Sequence, residues 1–204
     1  MLAGMPFTSV IFAAVLSYTW YFDPRLPRAF VNVPIGVVAG LGVWHSARTG
    51  EWGLEPRAFL PGLRAVGRLT AAAVVAILLA GWWVGTLHDR RDFLGSLAWL
   101  VVWGGAQQWI LQTVILREAQ RATSHGWGIL LAAALFAAVH LPNPLLTALT
   151  LTAGIAWCAI YARYPNVLPL ALSHGLGTLA ILYAFDERIT GRLRIGYSYL
   201  LLWE

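Results

Sequence analysis

The sequence predicts an all-α, polytopic membrane bundle of about seven spans, and three observations carry that prediction. Hydrophobic residues make up 59% of the chain and charged residues only 11%, whereas soluble domains are about a quarter charged. Several apolar runs approach the roughly 20 residues that a helix needs to cross a bilayer. These runs are continuous rather than alternating, which favours helices over a closed barrel, the other architecture that satisfies its backbone in lipid.

Each span follows from its run and from what stops it. The first is expected from about Met5 to Phe22, ending at "DPRLPR"; it lacks a basic leading region and a small-residue cleavage site, so it reads as a retained helix. The second covers about Ala29 to Ala47. A polar segment then places Arg57, Arg64 and Arg68 among apolar residues, a pattern that suits either a helix lying in the interface or a connecting loop. The third span is about Leu69 to Leu87, followed by "HDRRD", and the fourth about Leu94 to Leu116, closed by "REAQRATSHG". The fifth is short, about Trp127 to His140, and stops at "LPNP", where two prolines end a helix. The sixth covers about Leu145 to Tyr161 and the seventh about Val167 to Phe185. The tail "IGYSYLLLW" is too short to span and is expected at the interface. The chain thus divides into N-terminal spans with an interfacial segment (1–93), a core (94–190) and an interfacial tail (191–204).

All the basic residues are arginine and the net charge is +5. The arginines lie in short loops between apolar runs, so they read as contacts with the bilayer's headgroups and not as a nucleic-acid surface. Alternate loops carry equal numbers of them, which leaves the orientation open. The single cysteine, Cys158, lies in an apolar run and is expected as a small buried hydrophobe. It excludes an intrachain disulfide and a zinc site of the cysteine type.

Polar residues inside spans need a partner or a water-lined cavity. Gln108 and Gln112 are four apart on one helix face, with Gln107 beside them. His140 ends the fifth span, and His174 lies in the seventh with Ser173 next to it and Thr178 one turn on. Glutamine and threonine also serve as interhelical glue, but this set from three spans points to one polar pocket. No carboxylate falls inside a span; Glu118, flanked by Arg117 and Arg121, is nearest and reads as a solvated helix end paired with arginine. Two histidines without a third ligand do not make a zinc site, and no cofactor is implied.

These residues resemble the motifs of the CPBP family, the intramembrane CAAX-type proteases and bacteriocin-processing or immunity proteins. "QQWILQ" stands where that family has Glu-Glu-x-x-x-Arg, so Gln107 and Gln108 match the glutamates and Gln112 the arginine. "FAAVH" matches Phe-x-x-x-His with Phe136 and His140, and "SHGLGT" supplies His174 with Thr178 at a position usually held by Asn. The resemblance runs from about Ala98 to Ile181. It implies a pocket between the fourth, fifth and seventh spans, in which a glutamate and a histidine activate water while the other histidine and Asn hold the oxyanion. Here both histidines are kept, but glutamine cannot accept a proton as glutamate does. Three readings stay open. One is an intramembrane endopeptidase-like enzyme with an altered site, formed by His140, His174, Gln107, Gln108, Gln112 and Thr178. Another is an inactive member that binds a membrane-borne peptide or scaffolds a membrane protein, and the third is a metal or small-molecule site. The expected location is a bacterial cytoplasmic membrane.

Overall fold

The computed structural model describes residues 4–23, 25–89 and 92–203. It is helical throughout: α1 (Pro6–Ser17), continued by a π-helical turn over Tyr18–Phe22, then α2 (Asn32–Thr49), α3 (Pro56–Trp83), α4 (Phe93–Trp109), a π-helical stretch over Ile110–Leu116, α5 (Arg117–Ala122), α6 (His125–Ala138), α7 (Pro144–Arg163), α8 (Val167–Ala184), α9 (Glu187–Thr190) and α10 (Tyr197–Leu200). The described residues form no β-strand, only an isolated bridge between Leu54 and Asn166. Helices over Ala29–Thr49, Pro56–Trp83, Pro144–Arg163 and Val167–Ala184 are long and apolar enough to cross a bilayer, and those over Pro6–Phe22 and His125–Ala138 are apolar but shorter.

Two departures from the sequence reading matter. The segment with Arg57, Arg64 and Arg68 is neither a loop nor a separate interfacial helix. It forms the first half of α3, a single helix of 28 residues. Glu55 caps it by accepting from the Arg57 amide, Pro56 sits at its first turn, and Pro61 does not break it. The predicted fourth span is α-helical only to Trp109 and then winds as a π-helix, a geometry that occurs often at functional sites.

The chain forms two compact units. One comprises Met1–Trp52, Ile110–Cys158 and Leu193–Glu204. Every residue of its π-helical stretch is buried, with Met5, Ile11, Ala132, Ala133 and Phe136 also in its core. Pro6 begins α1 without a capping side chain of its own. Glu118 supplies the missing acceptor: its carboxylate takes the amides of Thr8 (2.8 Å) and Phe7 (3.2 Å). Glu118 is only 4% exposed. The expectation of a solvated helix end is therefore wrong, because the first amides of a helix need acceptors and carry partial positive charge. Arg117 pairs instead with Glu51, at 2.9 Å.

The other unit comprises Gly53–Trp109 and Ala159–Arg192. Within it α8 packs along both α4 and α3. Small residues permit the approach, as in other membrane helix pairs. A side chain on Gly175 would meet Val101, within 2.9 Å of its backbone nitrogen. Thr70 of α3 donates to the Ser173 hydroxyl of α8 at 2.7 Å, out of contact with water. Asn166 caps α8 through the Leu168 amide (3.0 Å) and donates from its own amide to the Glu55 carbonyl (3.0 Å).

Candidate active site

Within the second unit, α4 contributes Gln107 and Gln108 and α8 contributes His174 and Thr178. Gln108 is completely buried, and its Nε2 lies 3.3 Å from Nδ1 of His174. An amide NH2 can only donate, so in this arrangement Nδ1 accepts and the proton of a neutral ring sits on Nε2. Gly104 makes room for the ring, since a Cβ there would lie 2.9 Å from Cγ of His174. The Gln107 Oε1 is buried without a hydrogen-bond partner. Thr178 follows His174 by four residues and therefore shares its helix face.

In the first unit, Gln112 lies in the π-helical stretch, fully buried, and its amide is in hydrogen-bond contact with the Cys158 thiol. Cys158 is buried as expected, and it also serves as a partner to one of the motif glutamines. His140 stands just past α6. Its Nδ1 lies 2.7 Å from the carbonyl oxygen of Phe136, and the two rings meet edge to face at 4.9 Å. A carbonyl only accepts, so Nδ1 carries the proton and Nε2 keeps its lone pair. The Phe-x-x-x-His spacing thereby fixes a tautomer: one helical turn brings the carbonyl under the ring. The two histidines end in opposite states, with an N–H at His174 Nε2 and a lone pair at His140 Nε2.

The same unit holds polar residues that sequence reasoning misses. His45 is 2% exposed and packs its ring 5.1 Å from Phe7, near the charges of Arg121, Glu118 and Glu51. For the burial of Glu118 a signal does exist. The start of α1 has no Ser, Thr, Asp or Asn at its cap, so an acceptor has to come from elsewhere.

The family model described as type II CAAX prenyl endopeptidase Rce1-like matches residues 89–180. No curated protein and no solved structure matches the chain. The matched segment contains Gln107, Gln108, Gln112, His140, His174 and Thr178, so the motif positions and the family match coincide, and residues 89–180 of this integral membrane chain are similar to the CAAX-protease family.

Proposed function

We propose that this protein is an intramembrane endopeptidase of the CAAX-protease type, in a bacterial cytoplasmic membrane, that uses histidine where the family uses glutamate. The observation that carries the reading is the bond from His140 Nδ1 to the Phe136 carbonyl, which leaves Nε2 as a proton acceptor. His140 takes the role that its own hydrogen bond leaves it. His140 accepts a proton from water as the water oxygen bonds to the scissile carbonyl carbon. The resemblance gives the oxyanion role to His174 and Thr178, and Gln108 lies 3.3 Å from the His174 ring. The C–N bond then breaks, and His140 returns its proton to the departing amine. Base catalysis contributes about 10²–10⁴-fold, and a lost oxyanion donor costs about 10²–10³-fold.

The test is turnover of membrane-borne peptides by the full chain in proteoliposomes, compared with His140→Gln and His174→Ala. Each variant is expected to lose at least about a hundredfold while unfolding near the wild-type temperature. Full activity in both variants would end the proposal.

A second reading rests on the same motif residues. Gln107, Gln108 and Gln112 remove the family's charges together, leaving no ion stranded, and Gln108 and His174 form a neutral pair. This suits a member that binds a membrane peptide or scaffolds a membrane protein without cutting it. Wild-type protein that turns over no peptide, yet retains one that Gln107→Ala releases, would decide for it.

A further inference from the structure

Arg57, Arg64 and Arg68 take on a different meaning once they stand on a long transmembrane helix instead of a loop or interfacial segment. At 3.6 residues per turn, the three fall within a sector of about 40°. The buried residues of the helix, Ala58, Gly62, Val66, Thr70 and Gly81, lie on the opposite side. All three arginines are exposed, and none of them pairs with a carboxylate among the described residues. Arg117 and Arg192, by contrast, are paired with Glu51 and Glu187. The nearest acid along the chain, Glu55, spends its carboxylate on the Arg57 backbone amide.

Further along the same outer face come Val75, Leu79 and Trp82, all exposed. The stripe therefore changes from cationic to lipid-like partway along the helix. With 28 residues, α3 is about 42 Å long, roughly 12 Å more than the hydrocarbon it must cross. Trp82 and Trp83 mark its C-terminal end as an interface, where such rings concentrate. Counting back about 30 Å, or 20 residues, reaches the neighbourhood of Leu63. Arg57 and Arg64 then stand at headgroup level. Arg68 sits one turn deeper, but helical side chains tilt toward the N-terminus and a long arginine reaches outward. At the same end, the Glu55 amide bonds the Pro165 carbonyl in the turn that joins α7 to α8, which fits a membrane boundary.

Like charges four residues apart on a helix repel, and the cost grows near hydrocarbon. A guanidinium pair in that setting is matched by a phosphate, which it can grip through two parallel N–H bonds. We infer that the outer face of α3, through Arg57, Arg64 and Arg68, binds the phosphates of anionic phospholipid headgroups. This inference does not depend on whether the protein cuts peptides.

The experiment is native mass spectrometry of the full chain equilibrated in detergent with phosphatidylglycerol and phosphatidylcholine. Wild type is expected to retain phosphatidylglycerol in preference. Retention should fall about fivefold for each arginine changed to glutamine, so the triple variant loses nearly all of it. Arg192→Gln, which removes an arginine already paired with Glu187, should leave retention unchanged. Triple Arg→Lys keeps the charge and is expected to keep partial retention, which guards against misreading a folding defect. Wild type without preference between the two lipids, or Arg64→Gln and Arg68→Gln variants that retain phosphatidylglycerol like wild type, would overturn the inference.

Discussion

Gln108 sits at 0% exposure against His174, so its chemistry is open to direct substitution. Gln108→Glu puts a carboxylate of nearly the same shape 3.3 Å from the ring and restores one of the family's glutamates. On the proposed mechanism, peptide hydrolysis in proteoliposomes should rise by about tenfold or more, because a carboxylate can accept a proton and the amide cannot. Unchanged turnover in a folded variant would mean that the lost carboxylate is not what limits the reaction. Gln108→Leu makes a contrasting case. It deletes the bond to His174 from a buried site, and thermal unfolding in detergent should report a loss of about 1–3 kcal/mol. That these positions are unusual is legible in the amino-acid sequence, because glutamines and histidines in apolar runs need a partner or a water-lined cavity. The tautomers are not legible there. They depend on which atom each ring meets: a carbonyl one turn back for His140, which is local, and an amide on another helix for His174, which is not.

At the scale of elements, α4 and α8 meet through glycine, and the consequences differ by position. Gly104→Ala presses a methyl to 2.9 Å from the His174 ring. The expected outcome is a cost of about 1–3 kcal/mol together with a displaced ring, read as lowered turnover beyond what lost stability explains. Gly175→Ala presses on the backbone of Val101 as well as its side chain, and backbone yields less. Its unfolding temperature should therefore fall further than that of Gly104→Ala. Glu118→Gln keeps the size of the buried acceptor but removes the charge that meets the first amides of α1. Hydrogen exchange at Phe7 and Thr8 is expected to quicken by roughly tenfold, matching about 1.5 kcal/mol for a charge-assisted bond weakened to a neutral one. Unaltered exchange there would show that the carboxylate's charge adds nothing to the start of α1. The ends of α6, α7 and α8 are easy to read in the sequence, since prolines and capping residues mark them. The first half of α3 is easy to misread, because its arginines suggest an interface. Yet the face that packs on α8 repeats small residues (Ala58, Gly62, Val66, Thr70) on one side of the helix straight through that segment. The π-helical stretch over Ile110–Leu116 has no sequence signature that marks it: its β-branched Ile110, Thr113, Val114 and Ile115 weaken helix propensity only slightly and give no sign of the wider winding.

For the molecule as a whole, the helices over Ala29–Thr49, Pro56–Trp83, Pro144–Arg163 and Val167–Ala184 commit the chain to a bilayer. Alkaline carbonate washing of membranes should leave all of it in the pellet; release into the supernatant would contradict an integral protein. Composition and the length of the apolar runs determined this much alone, since in lipid a backbone must satisfy itself, and continuous apolar runs do so as helices. The order and spacing of the glutamine, Phe-x-x-x-His and His-x-x-x-Thr positions likewise located the family-like segment, because such spacing is a property of the chain. Which polar atoms pair was decided by the tertiary structure. It turned Glu118 from a surface charge into the acceptor for α1, set the Gln108 amide against His174, and lined up Arg57, Arg64 and Arg68 on one face of a helix longer than the hydrocarbon. Each of these outcomes depends on long-range contacts or on the true length of a helix, and neither can be read from local sequence.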